Sequence, residues 1–276
     1  MKRPLSVVLL ADLVFFLLLI VSGSLTGIGS QIVYYLAFLL PIAIGIFAIR
    51  WGACRENREC LPLGGTKILP SLPLIFPTVA AVLLVSLLTS LVFGDKMAAF
   101  GTPEMGDSAP LAILNHAIVP AVLEEILFRY IPIKLLSGHS PRYAVLLSAI
   151  FFALVHHSFA SIPYAFVAGI VHAALTIAFE SIYPAMIIHF VNNLISVLSL
   201  YYSELGEYFG IALRATVLLL AALSAVYLFI KRAEYTVPLR KAFAKGDGYD
   251  GGAAPVMLII PTALVAVIEL ILVLGS

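Results

Sequence analysis

Residues 110–133 read PLAILNHAIVPAVLEEILFRYIPI, and this stretch decides the fold. A helix needs about 20 apolar residues to cross the hydrocarbon core of a bilayer, and this run is long enough while carrying Glu124, Glu125 and Arg129. Each ionisable group at such depth costs roughly 2.5–3.5 kcal/mol on insertion scales, so a chain keeps one there for pairing, transport or chemistry. The rest of the chain agrees. Hydrophobic residues make up 62% of the 276 and charged residues 11%, and the mean hydropathy is +1.10. Those values exclude an ordinary soluble domain.

On the same length criterion, spans are expected near 4–22, 31–49, 70–93, 110–133, 142–158, 161–179, 182–202, 209–230 and 254–274, giving an all-α polytopic bundle of eight or nine transmembrane helices. The basic residues sort by loop. With the N-terminus in the cytoplasm, Lys2, Arg3, Arg50, Arg55, Arg58, Lys67 and the group from Lys231 to Lys245 fall on the cytoplasmic side, whereas the opposite loops hold only Lys96. That asymmetry predicts an N-in integral protein of a cell membrane, and the chain reads as prokaryotic. The first apolar run is too long for a signal peptide and is expected to stay as a span. Net charge is +1, with no basic patch to attract nucleic acid.

By domain, residues 1–232 are expected as the membrane-embedded region with a core at about 110–202. Residues 233–252 are expected as a flexible cytoplasmic linker because of the glycines from Gly246 to Gly252, and 253–276 as an added C-terminal helix. Cys54 and Cys60 share one basic loop, and their spacing fits neither a zinc finger nor a disulfide framework, so free thiols are expected. No internal repeat is evident, which weighs against an inverted-repeat transporter.

Three polar signatures follow one another on apolar stretches: Glu124-Glu125-x-x-x-Arg129, Phe152-x-x-x-His156 and His189-x-x-x-Asn193. On an ideal helix Glu125 and Arg129 share a face while Glu124 points to a neighbouring one, so Glu125 neutralises Arg129 and Glu124 is left to face a cavity. His189 and Asn193 likewise share a face. Singly, each has a bland reading: a buried charge pair that locks helices, a satisfied core histidine, an asparagine that glues helices together. Their conjunction on neighbouring spans points instead to chemistry. His116, about 80° around an ideal helix from Glu124, and His172, between the two histidine helices, are expected at most to border the cavity. Asp12 and Glu269 are expected as interhelical or snorkelling groups.

These signatures, quoted in full as EEILFR at 124–129, SAIFFALVH at 148–156 and YPAMIIHFVNN at 183–193, resemble the CPBP family of intramembrane proteins. That family includes type II CAAX prenyl endopeptidases of the Rce1 kind and bacterial Abi or bacteriocin-associated relatives. The likeness spans roughly residues 110–200. It departs from the family pattern at Tyr130, where a glycine usually follows the arginine; His157 and Asn192 duplicate neighbouring types, and motif spacing selects His156 and Asn193. The resemblance implies that Glu124 activates a water held with His156, that His189 and Asn193 stabilise the oxyanion, and that Glu125, Arg129 and Phe152 support them. It implies no cofactor and a membrane-anchored substrate, prenylated or not, reached through lipid.

Three alternatives stay open on the residues. His156, His189 and Glu124 are a ligand set used by hydrolytic zinc sites, although the short His-Glu-x-x-His spacing is absent. A non-proteolytic immunity or binding protein would keep the fold without the reaction. A proton-coupled transporter also uses carboxylate and histidine chains.

Overall fold

The computed structural model describes residues 2–53, 68–93, 108–136, 140–156, 161–201, 207–244 and 267. Among them the chain is helical, with no strand. Helices α1 (Lys2–Gly23) and α2 (Gly27–Ala48) form a hairpin, and a 3₁₀ turn at Leu69–Leu74 leads into α3 (Ile75–Phe93). The decisive stretch is one unbroken span, α4 (Ala109–Leu136). Then come α5 (Pro141–Leu154), α6 (Ser161–Phe179), α7 (Tyr183–Tyr201), α8 (Glu207–Ile230) and α9 (Arg232–Ala242). Seven of these are long and apolar enough to cross a membrane. The protein is an integral, multi-pass, all-α membrane protein.

Helix α4 is not a uniform α-helix, and its sequence says why. It widens into π-helical turns at Leu114–Ile118 and Ile126–Tyr130. Each turn is followed closely by a proline, Pro120 and Pro132. Proline lacks the N–H for the helical ladder, and its ring clashes with the carbonyl four residues back. A π turn just upstream opens the ladder at that point. The carboxylates therefore stand between two local changes of pitch.

The core gathers around α6. Its buried run includes Ala168, Gly169, Ala173, Ala174 and Thr176, small side chains of the kind that let membrane helices approach closely, with His172 among them. A Cβ added to Gly169 would lie 2.8 Å from the Ala149 Cα of α5. Likewise Gly45 of α2 leaves room for the Ile131 side chain of α4, which would come within 2.5 Å of an added Cβ. Phe15 links the N-terminal hairpin to the core, with its ring centroid 4.9 Å from Phe38 and 5.4 Å from Phe128. Helix α8 is the outer wall beside α3 and presents Leu218, Leu219, Leu223, Val226 and Phe229 outward, as a lipid-facing helix does.

Two expectations differ from what is found. The span expected at 142–158 is a helix of 14 residues, about 21 Å long, against a hydrocarbon core of about 30 Å. It ends before His156, which sits in the turn that follows. Within the segment expected as a linker, residues 233–242 belong to helix α9. This helix packs on α5 and α6, and the buried Tyr235 hydroxyl donates to the Pro70 carbonyl at 2.8 Å. The linker reading rested on glycines at 246–252, which lie outside the described residues, as do Cys54, Cys60 and nearly all of the last expected span.

Candidate active site

The centre of the site is Glu125, which is fully buried on α4. Its Oε1 accepts from two histidines, His189 Nδ1 at 2.7 Å and His172 Nδ1 at 3.0 Å. Its Oε2 lies 3.3 Å from Arg129 Nε, one turn along the same helix. That contact is ionic without hydrogen-bond alignment, and Arg129 makes no hydrogen bond from its buried Nε, Nη1 or Nη2 among the described residues. The guanidinium is held by charge and by an aromatic face: its Cζ lies 3.8 Å above the Phe152 ring centroid. Such cation–π contacts gain strength when both partners are dry.

Phe152 organises the rest through its edges and faces. Its ring meets His156 at 4.8 Å and His189 at 5.6 Å between centroids, both edge-on. His156 Nδ1 donates to the Phe152 carbonyl at 2.8 Å, which fixes the imidazole in the turn beyond α5. The Phe-x-x-x-His signature is thus a ring clamped by the backbone one turn before it, not two residues on a long helix. Ser148, fully buried one turn further back, donates to the Phe128 carbonyl and ties α5 to α4.

A carboxylate accepts and does not donate, so His189 and His172 both carry their hydrogen on Nδ1. That commitment turns His189 Nε2 toward the other carboxylate, with Glu124 Oε2 at 3.7 Å. The distance exceeds a direct hydrogen bond. Glu124 keeps 17% of its side chain accessible, in contrast to Glu125 beside it. The adjacent glutamates therefore differ: Glu125 is closed off by Arg129 and two imidazoles, whereas Glu124 stays partly accessible, although it does not face the cavity as its helix angle led one to expect.

A cavity of about 320 Å³ adjoins this network. His156, His172, His189, Asn192, Asn193 and Phe152 line it, Thr78, Val79, Val82, Leu83 and Ser86 of α3 close the far wall, and Tyr164 stands at its side. The three signatures are thus brought together, His156, His189 and Asn193 on the cavity itself. Glu124 does not line it directly and meets it by way of His189 Nε2. Asn192 Nδ2 donates to Asn193 Oδ1 at 3.4 Å. His116 is absent from the lining; its expected angle assumed 100° per residue, and it sits inside a π turn.

The metal triple weighed as an alternative, His156, His189 and Glu124, does not match the cluster found. Among the described residues, the donor atoms that converge, all within 4.8 Å of one another, belong to Glu125, His172 and His189. Two histidines and a glutamate are a zinc-type set. Here, however, both Nδ1 atoms are donors to Oε1, and a divalent ion would displace those protons and sit next to Arg129. The arrangement fits a hydrogen-bonded charge network better than a ligand set. His172 is the member that sequence reasoning undervalued. The signal available was a histidine on an otherwise apolar span, with no motif around it.

Residues 106–195 match the family model described as type II CAAX prenyl endopeptidase Rce1-like. The match covers about a third of the chain, from the approach to α4 into α7. Over this segment the chain is similar to that family of CAAX-type membrane peptidases. The segment contains every residue of the three signatures and His172. No curated protein and no solved structure matches the chain.

Proposed function

We propose that the protein is an intramembrane endopeptidase that hydrolyses a peptide bond of a membrane-anchored substrate, with Glu124 as the base. The observation that carries this reading is the split between the two glutamates. Glu125 spends its acceptors on Arg129, His172 and His189, while Glu124 keeps 17% of its side chain accessible and faces His189 Nε2 across 3.7 Å.

In this mechanism a water beside Glu124 gives up a proton to the carboxylate as its oxygen attacks the scissile carbonyl carbon. His156 positions that water from the cavity side. The carbonyl π electrons move onto oxygen, where Asn193 and His189 donate. With Nδ1–H engaged by Glu125, His189 turns Nε2 to the reacting side and donates from it in the form of the ring that carries a proton on both nitrogens. Each donor aimed at an oxyanion in a water-poor site is worth about 2.7–4 kcal/mol. Collapse of the tetrahedral intermediate breaks the C–N bond, and the proton held by Glu124 goes to the leaving amine. Glu125, Arg129 and Phe152 hold the geometry. In this reading the hydrolysis runs without a metal.

The membrane setting and the Val79, Val82 and Leu83 side chains on the α3 wall favour a substrate whose cleaved end is held at the bilayer, as a prenylated CAAX tail is. The test is cleavage of a fluorogenic farnesylated CAAX peptide, and of its unprenylated counterpart, by purified protein in lipid with and without a zinc chelator. Cleavage of the farnesylated peptide that the chelator leaves unchanged is expected. Cleavage abolished by chelator and restored by zinc would overturn the metal-free mechanism, and no cleavage of either peptide would turn the reading toward a non-proteolytic binding protein.

A further inference from the structure

His172 stands outside the three signatures, yet it holds half of the hydrogen bonding at the centre of the site. Helix α6 is apolar apart from its ends, His172 and Thr176, and a histidine at that depth costs more than the leucine or alanine that would pack there. The imidazole is 2% exposed, and its Nδ1–H is directed at the oxygen that His189 uses. Thr176 Oγ1 donates to the His172 carbonyl at 2.8 Å, so the backbone turn that carries the ring is itself fixed.

We propose that His172 is a positioning residue for the hydrolytic site: by occupying the second acceptor position on Glu125 Oε1, it locks the carboxylate so that His189 is held in one orientation, with Nδ1–H on Glu125 and Nε2 toward Glu124. The inference rests on the reading of the site as hydrolytic only for its effect on rate. The geometry behind it is separate. A carboxylate oxygen accepts readily from two donors; here Oε1 has two at 2.7 and 3.0 Å. Oε2 has only the poorly aligned Arg129. Without His172 the carboxyl group loses one of its two aligned bonds and is free to rotate about its last torsion, and His189 loses its fixed acceptor. The His172 and His189 rings lie 5.5 Å apart and tilted by 41°, so they converge on Oε1 from different directions and do not stack. Partners that orient a metal-ligating histidine change activity by roughly ten- to a hundredfold when removed, and the same magnitude is taken for this orienting contact.

Three variants separate positioning from packing. In His172→Asn the side-chain amide nitrogen falls where Nδ1 was and restores the bond to Oε1. In His172→Gln the amide falls nearer the Nε2 position, and His172→Leu fills the space without a donor. Cleavage of the farnesylated CAAX peptide and nitrogen-15 spectra of histidine-labelled protein are recorded for each, with the His189 signals identified by their loss in His189→Gln. The expected result is a kcat about ten- to a hundredfold lower in His172→Leu and His172→Gln with KM nearly unchanged, recovery in His172→Asn, and one His189 population in wild type that keeps Nδ1 protonated, becoming mixed in His172→Leu. Wild-type kcat and an unchanged His189 spectrum in His172→Leu would overturn the proposal. So would equal loss in all three variants with that spectrum unchanged. If wild type cleaves neither peptide, the peptidase reading fails, and the His189 spectrum alone decides the role of His172.

Discussion

Arg129 lies with its guanidinium carbon 3.8 Å above the ring of Phe152, so the charge supplied by the first signature is seated on the aromatic side chain of the second. The same ring touches His156 and His189 edge-on. One phenylalanine thus connects all three signatures. Its replacement should show in stability and in catalysis together. Phe152→Leu removes the face under Arg129, a desolvated cation–π contact worth about 2 kcal/mol. We expect a lowered apparent melting temperature in detergent and a fall in kcat; Phe152→Tyr, which keeps the ring, should retain more of both.

The buried pair of Glu125 and Arg129 should behave asymmetrically under mutation. Removing one partner leaves an uncompensated charge away from water, which costs about 3–5 kcal/mol. Glu125→Gln and Arg129→Gln are each expected to reduce folded yield or unfolding temperature strongly. The double variant Glu125→Gln/Arg129→Met should recover part of that loss in stability and none of the activity. Thermal unfolding of the three proteins in one detergent checks the order.

Helix contact at the core is tested at Gly169. An alanine there would place its Cβ 2.8 Å from the Ala149 Cα, a contact with backbone that no side-chain rotation relieves. Overpacking of this size costs about 1–3 kcal/mol. Because α6 carries His172 and α5 leads to His156, Gly169→Ala should reduce activity beyond the fraction of protein lost to unfolding. The specific activity of the folded fraction measures that.

Much of this organisation was legible in the sequence, and the parts that were not share a physical cause. The placement of Glu125 against Arg129 follows from spacing on one helix, and the meeting of His156, His189 and Asn193 at one cavity from the nearness of their stretches along the chain, although His156 sits in the turn beyond a helix too short to span. The environment of the two glutamates could also be read, because a shared face with an arginine selects one of them. Hidden from spacing was anything that depends on a partner far along the chain. The bond from His172 to Glu125 joins residues 47 apart, and no local pattern marks it. Local pitch was also missed. The π turns of α4 come from prolines read only as part of an apolar run, and they spoil angular projections such as the one made for His116. The glycines beyond α9 suggested a linker that began too early, since the anchoring bond from Tyr235 to Pro70 spans 165 positions.

That last contact gives a modest prediction of its own. Tyr235→Phe deletes the 2.8 Å bond to the Pro70 carbonyl while keeping the packed ring. A single hydrogen bond of this type contributes about 1 kcal/mol. The variant is expected to stay folded, with α9 more open to limited proteolysis between Arg232 and Lys241, and with nearly wild-type cleavage because the site lies elsewhere.

The division of labour between adjacent carboxylates is tested most directly by Glu124→Gln in the farnesylated-peptide assay, with unfolding temperature measured on the same preparation. The substitution keeps size and polarity and removes only the basic oxygen. We predict a protein that melts within a few degrees of wild type and has lost cleavage by at least about a hundredfold, the lower end of what a positioned base supplies. A Glu124→Gln protein that cleaves at near the wild-type rate would contradict the assignment of Glu124 as the base.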